Sequence, residues 1–404
     1  MLSRRKLIKS LSTMPLISGL FGTVTPVTAT LAAAAPRNLV KELGIRTFIN
    51  AAGTYTAMTG SLMLDEVVDT IQDASNQFMM LDEVQTKVGE KIAALTHAEA
   101  AVVSAGCFSA MTLGLAGVLT GMDQKKVEQL PHLEGTGMKS EVIAQKAHNI
   151  GYSHALTNTG CRIVQVDTIE DVEKAINDKT AMLWFLNIQS DKGKITHEQW
   201  VALGRKHNIP TMIDIAADVP PVENLWKFND MGFDLVCVSG GKAMRGPQSA
   251  GLLMGKKDLI AAARLSMPPR GSTIGRGMKV NKEEILGMYV ALEKFINTDH
   301  DKEWKMLEDR VALISNAAKS VKGVQVEKTA PPLGNHTPTL RFTWNESLVK
   351  ITPKALQEAL RNGNPSIETV GDDKGVGMTA WMLKPGEDKI VAARLKEELS
   401  KAAV

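Results

Sequence analysis

The sequence predicts an α/β protein: a large domain built on a mostly parallel sheet with helices on both faces, plus a small C-terminal α+β domain. Three observations carry this. Short, continuous apolar runs recur at residues 100–104, 181–187, 211–215, 235–239 and 250–254, as in strands buried on both faces. Between them, apolar residues fall near i, i+3, i+4 and i+7, the period of amphipathic helices. Past residue 321 the texture changes to shorter stretches that end in one long helical pattern.

In chain order, residues 64–80 and 84–95 read as amphipathic helices, and the apolar run 100–104 reads as a strand that passes through Gly106 into a helix at 109–119. Residues 119–137 are polar and read as a connection. Residues 142–147 and 162–166 are strand candidates, 169–176 a helix, and 181–187 a strand of bulky apolar residues. The helix at 197–207 meets the stop signal Asn208-Ile-Pro210. After the strands at 211–215, 235–239 and 250–254 come helical patterns at 283–296 and 304–321. Strand candidates at 324–327 and 339–343 and a final helix at 387–401 complete the chain. The expected division is a leader over 1–34, a large domain with an N-terminal arm over 35–295, and a small α+β domain over 296–404.

Composition narrows the function. The 404 residues are 44% hydrophobic and 23% charged, with a net charge of +3, ordinary values for a globular protein. No long basic stripe is present, so a nucleic-acid partner is not expected. Cys107, Cys161 and Cys237 show no Cys-x-x-Cys spacing, so no metal site is expected and all three read as buried thiols. No internal repeat is visible.

The chain opens with Ser3-Arg4-Arg5-Lys6-Leu7-Ile8-Lys9, then an apolar stretch to about Leu31 and small residues from Ala32 to Ala35. This order resembles a twin-arginine (Tat) export signal, and implies passage through the Tat machinery to the periplasm. Pro15, Gly19, Gly22 and Pro26 interrupt the stretch and argue against a spanning helix. The Tat route carries folded proteins, which suits an enzyme that loads a cofactor before export.

Three segments carry chemistry. In the first, the apolar run 235–239 ends in Ser239-Gly240-Gly241-Lys242 and continues to Arg245-Gly246-Pro247-Gln248. No helical period explains Lys242. The glycines allow close backbone approach to a ligand, Ser239 is within reach of a phosphate, and Arg245 would lower the amine's proton affinity. The amine is then placed to attack an aldehyde; the alternative is a surface lysine in a glycine turn. In the second, Asp214 stands inside an apolar run, where a carboxylate needs a cation or strong donor. A protonated pyridine nitrogen fits, with Ala216 small enough to lie beneath a flat ring. The alternative is a turn cap, a role that suits Asp218 better. In the third, Gly106, Cys107, Phe108 and Ser109 open a helix after a strand, where free N–H groups and the helix dipole favour a phosphate. Gly-x-Gly-x-x-Gly is absent, so this is not a dinucleotide fingerprint.

Together these segments resemble the fold-type-I pyridoxal 5'-phosphate (PLP) enzymes. More narrowly they resemble the group containing L-seryl-tRNA(Sec) selenium transferase and D-glucosaminate-6-phosphate ammonia-lyase. The likeness also covers Ile49 to Thr56, Ala98 and Glu99, Leu130-Pro131 through Met138, His148, and Ile274 to Glu283; the stretch from Ser239 to Gln248 is its most specific part. The resemblance implies the PLP-dependent transferase fold, with Lys242 as the lysine joined to the cofactor and Asp214 as partner of its pyridinium. Gly106, Cys107, Phe108 and Ser239 would form the phosphate cradle. It places His148 near the cofactor's face, stacking or shuttling a proton, or else as a satisfied strand-end histidine. Arg276, Lys279 and Lys282 would bind an anionic substrate group or pair with acids of the following helix, Arg276 first. The remaining histidines, His197 among them, read as ordinary surface residues. A homodimer or larger homo-oligomer is implied, with residues 271–275 reaching the neighbour's phosphate.

The expected reaction is elimination or ammonia-lyase chemistry on an amino acid or amino sugar acid, a small-molecule amine. An aminotransferase, a racemase, or a catalytically inactive periplasmic binding scaffold are the alternatives. Transfer of selenium on a tRNA is disfavoured: the leader occupies the space of that enzyme's tRNA-binding extension, and an exported protein would not meet aminoacyl-tRNA.

Overall fold

A computed structural model describes residues 37–404; the leader lies outside the described residues. Residues 37–46 fall in one compact unit and residues 47–404 form another. In the first, Leu39–Glu42 make a single helical turn capped by Asn38.

The strands of the second unit are β1 (Ile49–Asn50), β2 (Ala100–Ser104), β3 (Glu141–Gln145), β4 (Arg162–Val166), β5 (Thr180–Leu186), β6 (Thr211–Asp214), β7 (Leu235–Ser239), β8 (Gly251–Gly255), β9 (Val324–Thr329), β10 (Thr339–Trp344), β11 (Ile367–Glu368), β12 (Val370–Asp372) and β13 (Gly375–Thr379). Seven of them form a central sheet in the order β2-β8-β7-β6-β5-β3-β4. Only β8 runs against its neighbours. Six carboxyl ends therefore share one edge, where ligands bind in open α/β sheets.

The apolar runs form strands because both faces of the sheet are covered. Every residue of β5 and β8 is buried, and the two faces pack into separate cores, one around Trp200, Phe185 and Phe228, the other around Met111, Leu113 and Trp184. The helix Gly106–Thr120 runs under the second face and is apolar almost throughout. A Cβ on its Gly117 would sit 2.6 Å from the Ala263 nitrogen, so glycine permits close crossing with the helix Lys257–Leu265. A third core joins the antiparallel sheet β12-β13-β10-β9 to the helices His300–Lys319, Pro353–Arg361 and Glu387–Ala402. Ile49 and Ala51 pack in this core, and β1 pairs in parallel with β11.

Several boundaries differ from the sequence reading. The first expected helix, 64–80, is Asp65–Ser75; Asn76 ends it by donating to the Gln72 carbonyl at 2.8 Å, and Phe78 stands exposed before the next helix, Leu81–Leu95. The connection 119–137 holds a short helix, Gln124–Gln129, because the Asp123 side chain caps it. The strand expected over 142–147 stops at Gln145 and tightens into the 3₁₀ turn Lys146–His148. The helix His197–His207 has the expected bounds, fixed by a Thr196/Gln199 capping box and a left-handed Asn208. Among the described residues, no helix is long and apolar enough to cross a membrane.

Candidate active site

The site lies along the shared carboxyl edge. Register places Ser104, Gly251 and Ser239 abreast across β2, β8 and β7, and Leu186, Asp214 and Cys237 abreast across β5, β6 and β7. Ser239 and the helix start at Gly106 thus flank one short strand beginning, at Gly251. No side chain caps that helix, so the N–H groups of Gly106, Cys107 and Phe108 remain donors for an anion. Gly106 turns the chain into the helix at φ +84°, a conformation suited to glycine. Ser109 is half-buried in the same first turn.

Lys242 lies between two cavities. A smaller one of about 40 Å³ is lined by Lys242, Asp214, Ala216, Ala217, Asp218, Leu186, Ile188 and Tyr152. A larger, more open one of about 390 Å³ is lined by Lys242, Ser239, Gly241, Gln248, Ser249, Thr56 and Gly60. The lysine is half-buried, unlike a surface lysine in a turn. Its loop is clamped from outside: Ser61 donates to the Gly241 carbonyl at 3.0 Å through both its hydroxyl and its backbone N–H, and Gln248 Nε2 donates to the Thr56 carbonyl at 3.2 Å. Arg245 belongs to this clamp. It is exposed, adopts φ +53°, and donates from Nε to the Leu62 carbonyl at 2.9 Å. It lines neither cavity, so the expected role beside the lysine or substrate gives way to a structural one.

Asp214 ends β6, fully buried in apolar surroundings except toward the smaller cavity. Burial pushes its carboxyl up from the usual range. Its Oδ1 accepts from the Ala216 N–H at 2.8 Å and from the Cys107 thiol at 3.3 Å. Ala216 lies just past the strand end and lines the cavity, so it serves both through its small side chain and through its N–H. All three cysteines are buried and free.

His148 is fully buried. Its Nδ1 accepts from the Leu186 N–H at 3.3 Å, and its ring meets Phe185 edge-on at 4.4 Å. Burial pushes its pKa down to about 4, so it is neutral. It lines neither cavity. Arg276 and Lys279 are exposed and have no ion-pair partner among the described residues, whereas Lys282 pairs with Glu283 at the start of the helix Lys282–Ile296.

Two residues take places that the sequence reading does not assign them. Asp218 is a second buried carboxyl in the Lys242 cavity. It accepts from the Gly334 N–H at 2.9 Å and from the Asn187 side chain, while burial pushes it up to about 6. His197, read as a surface residue, is half-buried against Phe185 and sits 2.7 Å from Asn187 Oδ1 through Nε2, with its pKa pushed down to about 4 by burial. Neither shows a local signal, because their partners lie on other elements.

The residues fit PLP. A free carboxylate oxygen and a lysine face one cavity, and an uncapped helix start and a serine lie beside its neighbour. Asp214 would hold the ring nitrogen, Lys242 the aldehyde carbon, and the turn Gly106–Phe108 with Ser239 the phosphate.

Comparison with known proteins agrees. The family model for L-seryl-tRNA selenium transferase matches residues 48–339. The chain is 27% identical to D-glucosaminate-6-phosphate ammonia lyase of Salmonella typhimurium, covering 91% of this chain and 99% of that one. It is 25% identical to a 5'-C-glycyluridine monooxygenase-decarboxylase of Streptomyces, covering 89% and 91%. It is 26% identical to L-seryl-tRNA(Sec) selenium transferase of Moorella thermoacetica, covering 76% and 70%. A solved D-glucosaminate-6-phosphate ammonia-lyase superposes with a TM-score of 0.79 at 26% identity, over 91% of this chain and all of that one. A serine palmitoyltransferase carrying PLP matches at 0.55 and 13%, a likeness of fold alone. The chain is a PLP-dependent enzyme of fold type I, and it belongs to the L-seryl-tRNA selenium transferase family.

Proposed function

We propose that this enzyme is a lyase acting on an amino acid or amino sugar acid, removing a group from Cβ and releasing ammonia. The observation that carries it is the meeting of Lys242 and Asp214 on one cavity at the carboxyl edge of the sheet. The near end-to-end match with an ammonia lyase supports the choice of reaction.

Bound PLP supplies an aldehyde carbon and an electron-accepting ring. The chain's own residues do the rest. Asp214, fixed by the Ala216 N–H, would accept the hydrogen bond of the protonated ring nitrogen. Lys242 would take a proton from the substrate's Cα, and its half-buried position limits competing water. The clamp from Thr56 to Leu62 keeps the lysine loop in place while this happens. Arg276 and Lys279 line neither cavity; exposed and without an ion-pair partner among the described residues, they would steer an anionic substrate group toward the site rather than touch the reacting atoms.

The leader supports export by the Tat machinery to the periplasm, and that location argues against a tRNA substrate. The exposure of Gly271 and Ser272 supports a homodimer in which this segment reaches the partner. Fractionation of cells with and without a working Tat system, and light scattering on the purified protein, test these two points.

The decisive experiment treats the holoprotein with borohydride, maps the label, and screens D- and L-amino acids and amino sugar acids for ammonia and keto-acid release. The label is expected on Lys242, and Lys242→Ala is expected to lose both label and activity. Full activity in Lys242→Ala refutes the mechanism. Conversion to the pyridoxamine form with an amino donor alone identifies an aminotransferase instead.

A further inference from the structure

We propose that the Cys107 thiol is a positioning residue for Asp214: it donates to Oδ1 and leaves Oδ2 free to accept a hydrogen bond from the protonated ring nitrogen of the cofactor. The inference rests on PLP binding and is independent of which reaction follows.

Asp214 receives two donors, and both go to the same oxygen, the Ala216 N–H at 2.8 Å and the Cys107 thiol at 3.3 Å. Among the described residues none reaches Oδ2, while Asp214 itself lines the cavity that contains Lys242. The carboxylate is thus held by one edge and offered by the other. The thiol is suited to the task. It is buried, and burial, then the charge of Asp214, push its pKa well up, so it keeps its proton and acts as a donor. The other titratable groups facing Asp214 are Lys242, Asp218 and the Cys237 thiol. Cys237 makes no hydrogen bond to the acid, so Cys107 is the side chain placed to tune it.

The consequence is a matter of proton affinity. Donors on a carboxylate stabilise its ionised form. With two of them on Oδ1, Asp214 is a weaker base, and a proton between Oδ2 and the ring would rest on nitrogen, the state in which the ring accepts electrons. Cys107 is also the second residue of the helix Gly106–Thr120, so its main-chain N–H belongs to the anion-binding turn while its side chain supports the acid. One residue then ties together the two ends of the cofactor site.

The test reconstitutes wild type, Cys107→Ala and Cys107→Ser with PLP labelled with ¹⁵N in the ring. It measures the ring nitrogen's chemical shift and, separately, PLP affinity by titrating the apoprotein. Cys107→Ser keeps a donor and is expected to hold the pyridinium shift. Cys107→Ala is expected to move toward the neutral-pyridine value and bind PLP roughly tenfold more weakly. An unchanged shift in Cys107→Ala overturns the proposal, and a loss of affinity without a change of shift reduces Cys107 to packing. If Cys107→Ala does not fold, the infrared S–H stretch of the wild-type apoprotein, assigned by its loss in Cys107→Ser, decides. A band lowered by hydrogen bonding supports the proposal, and a free-thiol band overturns it.

Discussion

Gly251 offers a sharp test of the phosphate assignment. It opens β8 between Ser104 and Ser239. In Gly251→Ala the new Cβ would lie 2.6 Å from the Gly106 carbonyl carbon, 2.7 Å from the Cys107 nitrogen and 2.8 Å from the Val238 oxygen. All three are backbone atoms, so none can swing aside. Ordinary contact begins at 3.4 Å, so the helix start must retreat by 3.4 − 2.6, or about 0.8 Å. Such overpacking costs about 1–3 kcal/mol of stability. Because the retreating Cys107 nitrogen is one of the proposed phosphate donors, PLP affinity should fall by roughly tenfold. Guanidinium unfolding of the apoprotein measures the first quantity and PLP titration the second. Gly277→Ala is the control, since nothing lies within 4 Å of a Cβ there. If Gly251→Ala lost stability but bound PLP as tightly as wild type, the helix start would not be the phosphate site.

Two further outcomes follow from charge. The Asp218 carboxyl sits at about 6 against an ordinary 3.8, so the folded state holds this proton more tightly than the unfolded chain. The stability gained from that proton is present in full below pH 4 and is lost as pH rises toward 6 and above. The difference of about 2.2 pH units corresponds to about 3 kcal/mol. Asp218→Asn should therefore gain on wild type by about that amount between pH 4 and 7 in paired unfolding curves; a gap that does not vary with pH contradicts the burial argument. Arg276→Gln should raise KM for an anionic substrate roughly tenfold while kcat holds; an equal fall in kcat would place Arg276 at the reacting atoms instead.

The parts of the site readable in the sequence were those whose signal is local. Lys242 follows glycines at the end of an apolar run, and Asp214 interrupts one, so each stands out against its own neighbours. Strands β2, β5, β6 and β7 were legible for the same reason, since burial on both faces leaves a continuous apolar run, whereas β4 at the sheet's edge is partly exposed. What stayed hidden depends on distant contacts. Asp218 resembles a turn cap until Gly334, 116 residues on, donates to it. Arg245 looks like a site cation until the Leu62 carbonyl, 183 residues earlier, takes its Nε–H. Cys107 was legible as a backbone donor and as a buried thiol, but the direction of its Sγ toward Asp214 required the fold. The helix Asn224–Met231, too short for a clear period, also went unread.

The reversed strand β8 has a bearing on assembly. It is the bridge between β2 and β7, which stand more than 130 residues apart in sequence. Until residues 251–255 slot in, the strand that leads into the anion-gripping turn has no hydrogen-bonded neighbour in the central sheet, and the turn is held near the amine only by its helix and by the Cys107–Asp214 contact. The last strand of the central sheet is thus the piece that fixes the turn's place beside the amine.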